Sequence, residues 1–468
     1  MGPIIYQNES LAAGELPATG QTGISARSGT SSRTKPLVGV FVALLLFMVI
    51  YFARPEDWIP WFSAAPLAKI AGILMLLALI FSIRQIRQRS PREVIFLALL
   101  VGQLFLSSLL SPVWRGGALN LTVNFAKVLM VVLVVTAAVT TAGRLKALIL
   151  TQAASVAAIA AVAIWKGRLV LGRLEGTFGG GYSDPNDLAL AITMSLPLCL
   201  VLLILTRNWL MKILWSVSML LMTYAVLRTG SRGGFLALAV VSGACLWEFA
   251  LRGRRPHLLG FGVLAGLILW QSAGGMVMGR FRGTLNINDD AAASYASGQA
   301  RQLLFWRSIE VTKAYPLLGV GPGNFDQISG HWQTTHNSFT LLSSEGGIPA
   351  LVLYVLILLS GFKNLRATKL WAPKRAEARL LAGALFASLV GYAAGSAFLS
   401  VAYEFFPYIL VAYTSALFLM TRNSAALTRK SERVRQGTPG KQSSLKTAEP
   451  ELSFLPAEIL SAPYSPDS

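Results

Sequence analysis

Asp187-Leu-Ala-Leu-Ala-Ile-Thr-Met-Ser-Leu-Pro-Leu-Cys-Leu-Val-Leu-Leu-Ile-Leu-Thr206 carries a single charge, at its first residue. A helix needs roughly 20 apolar residues to cross about 30 Å of hydrocarbon, and the stretch lacks the apolar/polar alternation of a barrel strand. It reads as a transmembrane helix. Working outward, comparable stretches lie near 36–53, 65–83, 93–113, 118–138, 144–164, 210–228, 233–251, 257–279, 338–361, 378–400 and 405–421, about twelve in all. Only helices satisfy their own backbone hydrogen bonds at that depth. The expected fold is therefore all-α, a polytopic integral membrane helix bundle.

Composition agrees. The chain has 468 residues, 54% hydrophobic and 13% charged, where soluble domains run near 45–50% and about 25%. An ordinary water-soluble enzyme is excluded. Cys199 and Cys245 both fall inside apolar runs, so neither a disulfide framework nor a zinc site follows. Three histidines, His257, His331 and His336, cannot build a His-rich metal centre. The polar start of the chain is not expected to be a cleaved signal peptide.

A net charge of +20 would point to nucleic acid in a soluble protein, so the position of each charge matters. Counted over alternate connections, 27 of the 41 Lys and Arg fall on one side and 12 on the other, with Lys69 and Lys127 inside spans. The positive-inside rule makes the richer side cytoplasmic. Both termini are then cytoplasmic, the cationic excess serves topology and anionic headgroups, and no nucleic acid is required. The expected organisation is a disordered N-tail over 1–35, N-terminal spans over 36–164, a second membrane region over 165–421 and a disordered basic tail over 422–468. Two long outer connections, 165–186 and 280–337, interrupt the second region.

Basic residues on the outer face run against that rule and are the informative ones. The first loop reads Arg173-Leu-Glu-Gly-Thr-Phe-Gly-Gly-Gly-Tyr-Ser-Asp-Pro-Asn-Asp187, with Asn186 or Asp187 as the expected cap of the next helix. A short hinge, Leu227-Arg-Thr-Gly-Ser-Arg-Gly-Gly234, puts Arg232 at a helix start, where guanidinium and free N–H groups together form an anion site. In the large loop, Arg301-Gln-Leu-Leu-Phe-Trp-Arg-Ser-Ile-Glu-Val-Thr-Lys313 reads as a short helix. Arg301 and Arg307 lie roughly 600° apart around it, so only one faces a shared site, and the role of Arg307 stays open.

Next come Pro316-Leu-Leu-Gly-Val-Gly-Pro-Gly-Asn-Phe325 and His331-Trp-Gln-Thr-Thr-His-Asn-Ser338. The glycines imitate a nucleotide loop, but no strand precedes them and the Lys-Ser/Thr of a P-loop is missing. His336, at the junction of water and membrane, is the candidate general base, with His331 competing. Glu345 falls within the tenth span as drawn; it either orients an imidazole, pairs with an arginine or sits at the outer boundary. Several arginines beside one histidine suit a reaction that expels a lipid-carried diphosphate, arginine replacing Mg²⁺. Asp289 and Asp290 adjoin, without metal-ligand spacing, so neither metal nor cofactor is expected.

These motifs resemble the O-antigen ligase and O-antigen polymerase superfamily of bacterial membrane glycan transferases. The matching residues are Arg173-Leu-x-Gly-Thr-Phe to Pro185-Asn186, Ser231-Arg-Gly233, Arg301, the 316–325 loop, His336-Asn337 and Glu345-Gly346, from about 173 to 360 in family order. The resemblance implies a metal-independent glycosyltransferase of GT-C type in the bacterial inner membrane. Its implied reaction moves a glycan from undecaprenyl diphosphate to a glycan, lipid or protein hydroxyl on the periplasmic face. By matching motifs, Arg232 and Arg301 bind the diphosphate, Arg173 supports the donor site and His336 activates the acceptor, with Asn337 and Glu345 supporting. The competing class is a transporter of a solute or lipid-linked glycan, which would place polar residues or broken helices at mid-membrane.

Overall fold

The computed structural model describes residues 37–63, 65–82, 91–170, 172–176, 182–284, 291–330, 332–371 and 375–436. The expected tail over 1–35, the chain beyond Gln436, His331, Asp289 and Asp290 lie outside these residues.

The fold is all-α and polytopic. Its helices are α1 (Val38–Ala53), α2 (Pro55–Trp58), α3 (Leu67–Ser82), α4 (Arg92–Leu109), α5 (Arg115–Ala138), α6 (Ala142–Lys166), α7 (Pro185–Leu205) and α8 (Trp209–Thr229). There follow α9 (Arg232–Cys245, continued as a π-helical turn through Leu251), α10 (His257–Thr284), α11 (Ala291–Ala314), α12 (Phe325–Ile328), α13 (Ser338–Trp371), α14 (Ala376–Ser396) and α15 (Phe406–Gln436). A two-stranded hairpin, Leu169–Val170 against Arg173–Leu174, sits in the first long connection.

Among the described residues, nine helices are long and apolar enough to cross a membrane, fewer than the twelve expected. For two of the three the cause is physical: the 16 residues of α3 rise only about 24 Å at 1.5 Å each, and charges begin at Arg422 in α15. That last helix passes the expected boundary at 421 because Ala, Leu, Arg, Lys and Glu dominate 425–436, all strong helix formers. Likewise α11 exceeds the expected 301–313.

Burial sorts the helices. In α7, 78% of the most apolar window is buried, against 22% in α8, so α7 is central and α8 faces lipid with Leu210, Ile213, Leu214 and Val217. Pro197 removes one donor from the α7 ladder, and Ser388 Oγ donates to the Met194 carbonyl at 2.7 Å in the preceding turn. Helix α14 closes on α9 through Gly391, where a Cβ would stand 2.1 Å from Val241 Cγ2.

The two ends of the bundle carry different chemistry. At one, buried Glu93 accepts from Asn364 at 2.6 Å, and Lys369 and Arg252 both pair with Glu248. That end ties α4, α9, α13 and α15 together and satisfies its buried charges. The other end gathers the loop motifs.

Candidate functional site

The site grows from two helix starts. Asp184, followed by Pro185 at the first helical position, caps α7 by accepting the Asn186 N–H at 2.6 Å. The expectation of Asn186 or Asp187 as cap is thus corrected by two or three residues. The shift releases the Asn186 carboxamide, whose Oδ1 accepts from Arg173 Nη2 at 3.0 Å and Ser231 Oγ at 2.7 Å. Arg173 Nε also donates to the Thr229 carbonyl at 3.0 Å. Ser231 Oγ in turn accepts from Gly234 N at 3.1 Å and caps α9. Arg232 therefore opens a helix whose start is fixed to the start of α7, and the N-terminal end of each helix dipole favours an anion there.

Helix α11 lies across this pair. A Cβ on Gly298 would stand 3.9 Å from Arg232 Nη1, and Arg301 follows one turn later. Burial weakens proton binding by the Arg301 guanidinium, and the positive charges of Arg232 and Arg173 add to that, with Asp184 opposing. Its Nε is buried without a hydrogen-bond partner among the described residues. An unsatisfied buried donor is costly in a resting protein and is what an incoming anion would satisfy. Arg307, by contrast, pairs with Glu310 at 2.9 Å on the exposed face, as the 600° spacing requires.

His336 reaches the same cluster from a third direction. It sits in left-handed backbone, φ 51°, an uncommon conformation in which histidine is enriched. The flanking residues hold it there. Thr335 Oγ1 accepts from Asn337 N at 3.2 Å, and Asn337 Oδ1 accepts from the N–H groups of Phe339 and Thr340 at 2.9 and 3.1 Å. Asn337 Nδ2 donates to the Ala397 carbonyl at 3.0 Å. Asn337 is thus committed to capping α13 and anchoring the turn. The imidazole is half-buried; burial lowers its proton affinity, the Arg301 charge lowers it further and Asp184 opposes. It is held neutral at lower pH than a solvated histidine.

Glu345 has partners other than the imidazole or arginine expected of it. Its carboxylate, 1% exposed, accepts from Phe325 N at 3.2 Å and Tyr403 OH at 2.8 Å, with the Gly323 N–H also bound. It neither orients the imidazole nor pairs with an arginine; it clamps the 316–325 loop. That loop packs into the break of α13 at Gly347, φ 78° and ψ 174°. A Cβ on Gly319, φ 66°, would come within 2.3 Å of the Glu345 carbonyl carbon. Gln103, Ser107, Ser111 and Asn324 complete the seal with hydrogen bonds of 2.6–2.9 Å. The glycines therefore serve close packing, Gly319 against Glu345 of α13, Gly321 against Ser111 just beyond α4 and Gly323 against Leu121 of α5.

Arg173, Arg232, Arg301 and His336 thus converge, while Asn337 and Glu345 support from behind. Asp184 was not singled out, although an Asp before Pro at a helix start is a legible cap signal. Asn186 was read as a helix cap and both Asn186 and Ser231 as motif residues, without the hydrogen bond that joins them. Among the described residues, no group of three or more His, Cys, Asp or Glu side chains is placed to hold a metal ion.

Residues 217–355 match the family model described as O-antigen ligase. The match takes in Arg232, Arg301, His336 and Glu345, and Arg173 lies before it. No curated protein matches the chain. Over residues 217–355 the chain is similar to the O-antigen ligase family.

Proposed function

We propose that the protein transfers a glycan from undecaprenyl diphosphate to an acceptor hydroxyl at the periplasmic face of the inner membrane. The family supports ligase- or polymerase-type glycan transfer. The observation that carries the finer reading is the Arg301 guanidinium, half-buried beside two other arginines with its Nε unsatisfied among the described residues.

In this reading the phosphate oxygens accept from Arg232 and Arg301, with Arg173 braced behind them by Asn186 and Thr229. Neutral His336 takes the proton of the acceptor hydroxyl as its oxygen bonds the anomeric carbon. The bond from that carbon to the diphosphate oxygen breaks, and its electron pair leaves on the lipid diphosphate. Charge grows on the leaving group as it departs, where fixed cations stabilise it most. The arginines provide the electrostatic stabilisation that a divalent cation supplies to many diphosphate leaving groups.

The test uses His336→Ala and Arg232→Ala in a host lacking the protein. Loss of the general base lowers the rate by about 10²–10⁴-fold, so lipid-linked oligosaccharide accumulates at unchanged membrane insertion. Normal surface glycan in both variants refutes the mechanism. A transporter would instead leave the donor unmoved on the cytoplasmic face. A reporter fused within 290–300 should be read as periplasmic, and a cytoplasmic signal would overturn the placement.

A further inference from the structure

A cavity of about 140 Å³ opens at the first turn of α7. Its polar lining is Tyr51, Arg54, Tyr182, Asp187, Tyr392 and Glu404, from α1, α7, α14 and the segment before α15. No sequence motif pointed to it.

The lining has a definite chemical character. Arg54 holds left-handed backbone at the end of α1, φ 44°, and pairs with Asp57 at 2.5 Å. That offsets its charge, and Arg54 also acts on Glu404, so with Asp187 the lining carries no excess of positive charge. Tyr51 hydrogen-bonds Glu404, and the Tyr51 ring stacks on Phe405 with centroids 5.1 Å apart. Carboxylates accept from paired hydroxyls, and aromatic rings with a polar tip offer an apolar face and a hydrogen bond together. An anion is disfavoured here, the reverse of the arginine cluster. At about 30 Å³ per water the cavity of about 140 Å³ holds about five waters, room for part of a sugar ring with the remainder at its open mouth.

The first turn of α7 is a shared wall. Asp184 faces the field of Arg301 and His336, Asn186 binds Arg173 and Ser231, and Asp187 lines the cavity. The far wall is linked to the histidine as well. Val401 lines the cavity, and its N–H donates at 2.9 Å to Ser338 Oγ, two residues from His336.

From this arrangement we infer that the cavity formed by Tyr51, Arg54, Asp187, Tyr392 and Glu404 is a subsite for a neutral sugar ring of the glycan substrate, adjoining the diphosphate site. The identity of the sugar as substrate rests on the glycan-transfer reading; the hydroxyl-binding chemistry does not.

The test uses the full chain in detergent or nanodiscs, with methyl glucoside, methyl N-acetylglucosaminide and glucuronate observed by saturation-transfer NMR. Inorganic diphosphate binding is measured separately. At least one neutral glycoside should bind saturably, and glucuronate at least about tenfold more weakly. Ala191→Leu, which fills the cavity without altering charge, should weaken glycoside binding at least about tenfold and leave diphosphate binding intact. Tyr51→Phe, which removes one hydrogen bond, should weaken it about three- to tenfold. No saturable glycoside binding, equal binding of glucuronate, or unchanged binding in both variants overturns the subsite. Loss of diphosphate binding in Arg301→Met with glycoside binding retained separates the two sites. Absence of diphosphate binding in the wild-type protein refutes the transfer reading alone. Displacement of the glycoside by extracted lipid-linked oligosaccharide assigns the subsite to the donor, and failure to displace assigns it to the acceptor.

Discussion

Replacing Arg301 by Met should make the resting protein more stable and much less active. Arg301 is half-buried, its Nε lacks a partner among the described residues and the charges of Arg232 and Arg173 bear on it. Leaving a buried donor unsatisfied costs about 1–3 kcal/mol, and methionine fills similar volume without a donor or charge. The gain should therefore fall in that range before relief of the repulsion is added. For a domain of 150–250 residues each kcal/mol moves Tm by about 2–4 °C; this larger chain moves less, so a rise of a few degrees is expected. Activity should fall about 10²–10³-fold, the usual effect of deleting one donor to developing negative charge. Thermal unfolding followed by the fluorescence of the chain's 11 tryptophans, with and without inorganic diphosphate, reads both consequences. Diphosphate should stabilise the wild-type protein and have little effect on the variant. A drop in Tm with an undiminished response to diphosphate would show that Arg301 is a structural tie, and the reasoning would be refuted.

Further expectations concern the groups around that charge. Asp184→Asn keeps a competent helix cap but removes the carboxylate that raises the proton affinity of His336. Neutral imidazole is the active form, so the acidic limb of kcat/KM against pH should move to lower pH; a shift upward contradicts the assignment. Glu345→Gln disturbs the hydrogen bonds to Phe325 N and Tyr403 OH. It should destabilise by about 1–3 kcal/mol and speed proteolysis within 316–325, whereas lost activity at unchanged stability would place Glu345 in the chemistry. Gly319→Ala, with its Cβ 2.3 Å from the Glu345 carbonyl carbon, should sharply reduce the folded yield in membranes, and a wild-type yield would show that the loop packs otherwise.

Length and polarity alone determined that this chain is a helical membrane bundle, because hydrocarbon admits few structures and an uncharged run such as 188–205 has one economical reading. Charge placement singled out Arg173, Arg232 and Arg301 for the same reason: a cation where topology does not need one is conspicuous. His336 stood out by its titration range and its position at a span boundary. What only the tertiary structure decided is which polar groups touch. Glu345 looked available to an imidazole nine residues away, yet the break at Gly347 and the inserted 316–325 loop turn its carboxylate to backbone N–H groups. Asn337 followed the candidate base in sequence and proved to be its anchor. The cavity around Tyr51, Asp187 and Glu404 left no local trace, since its walls come from positions up to some 350 residues apart. Burial in a membrane is a property of each segment and can be read locally; convergence on a site depends on helix packing and on where breaks and caps fall, which no single segment specifies.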